Sequence, residues 1–471
     1  MSAAPSSTYR VQLRPEFGFA ELGVVADYLA SLGVCAVYTS PLLAATPGST
    51  HGYDVVDPKR VAEQLGGEDG RRELVGRLRE RGLDLVLDIV PNHMGIERPE
   101  ANPWWWDVLA NGRESRWASF FDIDFDAGPI LVPVLADDGD DGKQALDDLA
   151  VSGDRLTYHE HRFPISDGTS GGSAAEVHGR QHYRLVSWRR AAAELNYRRF
   201  FDIDTLAAVR VEYAEVFAET HAEVLRWVVN GEVHGLRIDH PDGLTDPGGY
   251  LRRLREHAPS AWLVVEKILA VGETLPANWP VDGTTGYDAL RECCGVLVDP
   301  AGEAATTRLA VELCGAQDLS TLERDGKRFA ASSSLRAEVL RIARLLPDFP
   351  LSRATSAVAE LLASFRVYRS YLPFGRAELE HAAERARGAH PEHADVLAAV
   401  VARMLAEPHG ELADRVQQIS GMVMAKGIED TTFYRYPRLV ALNEVGGDPS
   451  RFGASPTEFH AACALRASSW P

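Results

Sequence analysis

Two short apolar runs, each ending in a carboxylate and lying 27 residues apart, constrain this chain more than anything else in it. The first is Gly235-Leu-Arg-Ile-Asp239, continued by His-Pro-Asp-Gly-Leu244; the second is Trp262-Leu-Val-Val-Glu266. Both have strand composition, and Tyr250–His257 between them reads as a helix. One β/α unit with a right-handed crossover accounts for that spacing and sets the runs side by side as parallel strands. Asp239 and Glu266 are then expected at the C-terminal tips of neighbouring strands, facing one mouth. Two carboxylates so placed suit retaining glycoside chemistry, in which one attacks the anomeric carbon and the other protonates the leaving oxygen.

The N-terminal part repeats the same theme. Thr8–Leu13 alternates as a strand, and Ala20–Leu32 carries Leu22, Val25, Leu29 and Leu32 at helical spacing before Gly33. Val34–Thr39 is a buried-type strand stopped by Ser40-Pro41. Arg71–Arg81 is a second helix ended by Gly82, and Leu83–Val90 is a strand broken in apolarity only by Asp84 and Asp88. Alternating β and α elements with apolar strands predict a parallel sheet covered by helices, either doubly wound or a (β/α)8 barrel. No Gly-x-Gly-x-x-Gly or P-loop follows a strand, which removes the commonest reason to prefer the doubly wound form.

Asp88 and Asp239 are 151 residues apart, far too many for one β/α unit. Residues 96–200 are rich in Asp, Gly, Trp and Pro with little periodicity and read as an insertion on a βα loop. Asp137–Asp141 and Gly168–Ser173 are its expected solvated tips. Helical periodicity resumes at Val216–Val229 ahead of the Val233–Asp239 strand, and residues 300–425 read as a second, helical insertion. The expected organisation is therefore 1–95 (barrel strands one to three), 96–205 (loop-rich insertion), 206–299 (strands four to six), 300–425 (helical insertion) and 426–471 (return toward the barrel).

Composition narrows the partners. A length of 471 residues suits one elaborated barrel or two to three domains, and 45% hydrophobic with 25% charged residues is ordinary for a globular protein. The net charge of −19 argues against nucleic acid and anionic membrane as partners and is compatible with a neutral substrate. The five cysteines (Cys35, Cys293, Cys294, Cys314, Cys463) have no metal-ligand spacing, and the adjacent pair suits no ordinary disulfide. A reducing cytoplasm is the expected setting, with no metal and no cofactor called for. The N-terminus has no apolar signal core, and no run approaches 18 apolar residues.

Each polar motif also has a plain structural explanation. Leu87-Asp88-Ile-Val-Pro-Asn92-His93 could be a strand end with a turn aspartate and a core histidine. Thr50-His51-Gly52-Tyr53-Asp54 could be a loop with an aromatic plug. Trp104–Trp106 could form a sugar platform, but adjacent tryptophans more often pack an insertion in place. Arg237 changes the weighting. Two residues before Asp239 on a strand, it shares that residue's face and would hold the carboxylate ionised.

Taken together, Asp88–His93, Arg237-x-Asp239 and Glu266 resemble, in chain order, the first three signature regions of the α-amylase clan of glycoside hydrolases and transglycosylases. Finer stretches resemble one branch of it, the (1→4)-α-D-glucan 1-α-D-glucosylmutases or maltooligosyltrehalose synthases. These are Thr8–Leu13, Pro47–Asp54, Asn102–Asp107, Asn196–Asp202, Leu236–Leu244, Val265–Ile268 and Met424–Tyr434, which span the chain. The resemblance implies a (β/α)8-type barrel and a maltooligosaccharide substrate. It further implies rearrangement of the reducing-end α-1,4 linkage to an α,α-1,1 (trehalose) linkage. It makes Asp239 the nucleophile and Glu266 the general acid/base. It puts Tyr53, Asp88, His93 and Arg237 around the sugar at the point of cleavage, with His51, Asp54, Asn92, His240 and Lys267 as further substrate-binding positions.

One departure qualifies this. The clan places a third carboxylate in a His-Asp pair at the end of the seventh strand, and no apolar strand after Glu266 leads to such a pair. His393-Ala-Asp395 lies in a helical context, and Asp430 is the first alternative. With the sequence ending at Ser469-Trp470-Pro471, the expectation is a barrel cut before strand seven. An α-glucan hydrolase and a glucan-binding remnant without turnover are the competing readings.

Overall fold

The computed structural model describes residues 4–137 and 139–469. Asp138 of the acidic Asp137–Asp141 tip, and Trp470-Pro471 at the expected cut, lie outside the described residues. The chain forms two compact units, Met1–Val265 with Pro280–Asp282, and Glu266–Trp279 with Gly283–Pro471.

The first unit is built on five parallel strands: β1 (Thr8–Val11), β2 (Ala36–Thr39), β3 (Asp84–Ile89), β4 (Gly235–Ile238) and β5 (Trp262–Val265). They lie in chain order, each hydrogen-bonded to the next. Helices α1 (Phe19–Ser31), α2 (Gly67–Glu80), α3 (Ala214–Val229) and α4 (Pro247–His257) carry the crossovers. This is an incomplete (β/α)8-type barrel. Leu85, Val86, Leu87, Leu236, Ile238, Leu263, Val264 and Val265 are all buried, as strands covered on both faces require.

The element ends follow local chemistry. In α1, Glu21 accepts the Gly18 N–H at 2.9 Å, and Phe19, Leu22, Ala26 and Leu29 make the buried stripe. Gly33 follows at φ 78°, where any side chain would be strained. Helix α2 begins four residues before the expected Arg71. Gly67 and Gly70 are poor helix formers, but Glu68 and Asp69 favour a helix N-terminus. Arg71 is buried against Trp227 and ion-paired to Glu68 and Glu232, both at 2.8 Å.

The excursion after β3 holds more regular structure than its composition suggests. Ile130–Leu135 pairs in parallel with Tyr183–Ser187. Ala150–Ser152, Arg155–Tyr158 and His161–Pro164 form an antiparallel meander, and Ile203–Ala208 pairs with both His93–Gly95 and Arg199–Phe200. Strands of two to six residues leave too short a periodic signal to read. Trp104 and Trp105 are buried in this excursion: Trp104 stacks on Trp117 at 4.6 Å, and Trp105 meets Phe121 and Tyr197 edge-on. They are packing residues, as the plain reading expected.

The second unit has one two-residue strand among its described residues, Gly283–Thr284, and is otherwise helical. Its core surrounds α8 (Glu411–Gly427), with α5 (Leu319–Ser332), α6 (Leu351–Ala363) and α7 (Arg376–Ala389) among the helices around it. Helices α5 and α8 approach at two glycines. A Cβ on Gly326 would lie 2.4 Å from the Gly427 carbonyl, and one on Gly427 would lie 2.4 Å from Lys327 Cγ. No helix among the described residues is long and apolar enough to cross a membrane, and the five cysteines form no disulfide.

Candidate active site

The register of the barrel strands assembles the polar cluster of the first unit. Arg237 on β4 lies opposite Asp88 on β3, so both side chains share one face, and Asp239 returns to that face two residues later. Arg237 Nη1 donates to Asp88 Oδ1 at 2.8 Å and to Asp239 Oδ1 at 2.6 Å. All three side chains are buried. The other Asp88 oxygen accepts from Tyr53 Oη at 2.5 Å and from Tyr38 Oη at 2.9 Å. Arg10 then donates to Tyr53 Oη at 2.9 Å, lies 3.9 Å from Asp88 and covers the Tyr38 ring.

Burial is the leading influence on Asp88, Tyr38, Tyr53 and His93 alike. Burial pushes the Asp88 carboxyl up, while Arg237 and the two phenols oppose the shift. Burial, helped by the Asp88 charge, raises both phenols, so Tyr38 and Tyr53 remain donors throughout the neutral range. Burial lowers His93 to about 3. The imidazole is therefore neutral, and its Nε2–H donates to the Tyr53 carbonyl at 3.1 Å while Asn92 Nδ2 faces Nδ1 at 3.4 Å.

The remaining expected positions fall around this core. Asn92 is buried and accepts from Arg198 at 2.9 Å. His240, in the left-handed region at φ 44°, packs edge-on against Phe200. That backbone conformation is uncommon for a residue with a side chain and recurs where a site fixes it. Asp54 accepts from Ser49 at 2.5 Å and sits 3.7 Å from His51. His51 is half exposed and accepts the Tyr53 N–H at 3.0 Å, so this pair shapes the loop that presents Tyr53.

Sequence reasoning gave Arg198 no role, although it lies in the quoted Asn196–Asp202 stretch. Buried, it donates to Asn92 Oδ1, to the Gly243 carbonyl at 3.1 Å and to Asp122 at 3.0 Å. It thereby ties the segment after β3 to the segment after β4. Gly243 leaves no room there, since a Cβ would stand 2.4 Å from the His240 ring and 2.7 Å from Asn92 Oδ1.

In the second unit, Glu266 is half-buried and accepts from Tyr287 Oη at 3.3 Å. Lys267 is fully buried, 3.2 Å from Glu273 and beneath the Tyr368 and Tyr371 rings. Asp395 pairs with Arg353 at 2.6 Å at the start of a helix, and Asp430 is exposed and paired with Lys426 at 2.8 Å. The inward carboxyl is Glu429, on a π-helical segment (Ile428–Thr432) that directly follows α8. It accepts a short hydrogen bond from Tyr368 Oη. Burial, then the nearby Asp430, Glu266 and Glu444 charges, push its carboxyl up to about 7 against that bond.

A family model described as "Alpha amylase, catalytic domain" matches residues 23–248. A putative maltooligosyl trehalose synthase of Mycobacterium tuberculosis is 48% identical over 99% of this chain and 61% of its own length. The solved maltooligosyltrehalose synthase of Arthrobacter ramosus superposes with a TM-score of 0.96 at 51% identity, over 99% of this chain and 61% of that one. A hypothetical maltooligosyl trehalose synthase of Sulfolobus tokodaii gives a TM-score of 0.82 at 32% identity, with coverages of 98% and 61%. The chain thus spans about three-fifths of the length of these relatives. Over nearly its whole length the chain is similar in sequence and in structure to maltooligosyl trehalose synthases, and residues 23–248 match the catalytic domain of the α-amylases.

Proposed function

We propose that the chain carries the chemistry of a (1→4)-α-D-glucan 1-α-D-glucosylmutase, which turns the reducing-end α-1,4 linkage of a maltooligosaccharide into an α,α-1,1 linkage. The observation that carries this reading is the single Arg237 nitrogen bonded to both Asp88 and Asp239. A guanidinium 2.6 Å from Asp239 favours the carboxylate form that a nucleophile needs. The identity to synthases over nearly the whole chain supports the choice of reaction.

The proposed steps follow. Asp239 attacks the anomeric carbon of the second glucose from the reducing end, while Glu266 protonates the departing O4 of the terminal glucose. The freed glucose stays bound and turns, and its own anomeric hydroxyl attacks the glycosyl–Asp239 carbon as Glu266 takes its proton. Two displacements restore the α configuration, and no water is consumed. Tyr53, Asp88, His93 and Arg237 line the donor sugar, and His51 and His240 contact it from the rim. Asp54, Asn92 and Lys267, whose polar atoms have protein partners, act on substrate through the segments they hold. The domain limits expected from sequence are part of this reading, as is a cytoplasmic setting, supported by the five unbridged cysteines.

Incubation with maltopentaose tests the proposal. A mutase lowers the reducing-end signal and gives a non-reducing product of unchanged mass. Rising reducing ends would mark a hydrolase, and binding without turnover a glucan-binding protein.

A further inference from the structure

The second unit contains a cavity of about 490 Å³ whose rim is unusually cationic for a chain with 68 acidic and 49 basic residues. Ser320, Glu323, Arg324 and Lys327 reach it from one stripe of α5, at the spacing that puts residues on one helix face. Arg366, just after α6, and Arg385, on α7, complete it. Arg324, Arg366 and Arg385 are exposed at its edge, and among the described residues none of them has an ion-pair or hydrogen-bond partner. Elsewhere, surface arginines of this chain are commonly paired to carboxylates, as in Arg72–Glu68, Arg77–Glu73 and Arg353–Asp395.

At the base of this rim, Lys327 is only 4% exposed and donates to the Phe365 carbonyl at 2.8 Å, which cancels none of its charge. Burial lowers it to about 8, with Glu323 opposing and Arg385 and Arg366 adding to the shift. Arg385 is held down by burial and then by Arg366 and Arg324. Three carboxylates, Glu323, Glu429 and Asp448, also line the cavity, and burial pushes the first two up and so weakens them as counter-charges. Four cations that crowd one hollow and repel one another are an arrangement that a bound anion relieves.

We infer that this cavity binds a small phosphate monoester, with Arg324, Arg366 and Arg385 holding the phosphate at the rim above Lys327. Arginine forks match phosphate oxygens in pairs, and the hollow is several times larger than a phosphate ion needs. The Phe365 and Tyr368 rings and the Glu429 carboxyl line the remainder, which offers apolar faces and an acceptor suited to a pyranose ring. The ligand class is therefore a hexose phosphate.

Calorimetric titration of the protein with glucose 6-phosphate, inorganic phosphate and glucose, each at low salt, tests this. Saturable glucose 6-phosphate binding is expected, at least tenfold tighter than inorganic phosphate, with no heat from glucose. Arg366→Gln and Arg385→Gln, both exposed and without partners to disrupt, should each weaken it about tenfold while leaving the melting temperature unchanged. Equal binding of glucose, or glucose 6-phosphate binding that both substitutions leave intact, would overturn the assignment, as would no binding at all. Equal affinity for inorganic phosphate would retain the anion site and overturn the hexose.

Discussion

Arg237 Nη1 donates to Asp239 Oδ1 at 2.6 Å from a position two residues earlier on the same strand, and the same nitrogen reaches Asp88 at 2.8 Å. One guanidinium therefore aims two buried acids.

Replacing it should uncouple them. Arg237→Gln leaves Asp88 buried without its cation and should cost roughly 3–5 kcal/mol of stability, read as a drop in the urea midpoint. Arg237→Lys should not restore turnover, because an ammonium on a flexible stem lacks the rigid, planar guanidinium that holds one nitrogen between both carboxylates. A Lys variant with more than a tenth of the parent kcat/KM would contradict this.

Tyr53→Phe removes the 2.5 Å donor to Asp88 and the acceptor for Arg10. About 1–3 kcal/mol of stability should be lost, the usual cost of stranding a buried charged acceptor. A unit-wide loss is not expected, since Tyr38 still donates to the same oxygen. Thermal melts of the single variant, and of one also carrying Tyr38→Phe, check it: the double substitution should cost more than the sum of the two.

Glu429 gives the fold a pH signature. Its folded value of about 7 stands above its ordinary value of 4.5, so the protonated form is the one the fold favours. Its contribution is fully present below about pH 4.5 and is lost as pH rises through 7. Comparing wild type with Glu429→Gln between pH 5 and 8.5, the wild-type protein should lose up to about 3 kcal/mol relative to the variant. Parallel pH–stability curves would refute the assignment.

Gly243→Ala tests the tie between the two strand-end segments. Its Cβ would collide with the His240 ring and with the Asn92 oxygen that Arg198 holds. Overpacking of this kind costs about 1–3 kcal/mol. Because the displaced groups flank Asp239, turnover should fall by more than the melting temperature suggests. An active, slightly destabilised variant would show that this packing is structural alone.

The sequence made the strands and their carboxylates legible because buried parallel strands are nearly continuous apolar runs, in which Asp88, Arg237 and Asp239 stand out. The alternation rule alone put Arg237 and Asp239 on one face. Arg198 escaped because its partners, Asn92, Asp122 and Gly243, lie 45 to 106 residues away and no local period marks such a tie. Glu429 escaped for a different reason. The π-helical segment after Gly427 shifts the inward face by a residue, so Asp430, the candidate on sequence grounds, faces solvent beside Lys426. The early start of α2 was hidden by Gly67 and Gly70, whose low propensity the Arg71–Trp227 packing overrides.

The central claim is that Asp239 forms the covalent bond to sugar. A 5-fluoro-α-glucosyl fluoride has a leaving group that needs no acid, so the Glu266→Gln variant should still be glycosylated while turnover of the adduct is blocked. Peptide mass spectrometry after this treatment should find one hexosyl adduct, on Asp239, absent from Asp239→Asn. An adduct on Asp88 or any other carboxylate, or a sugar complex with no covalent bond, would contradict the account.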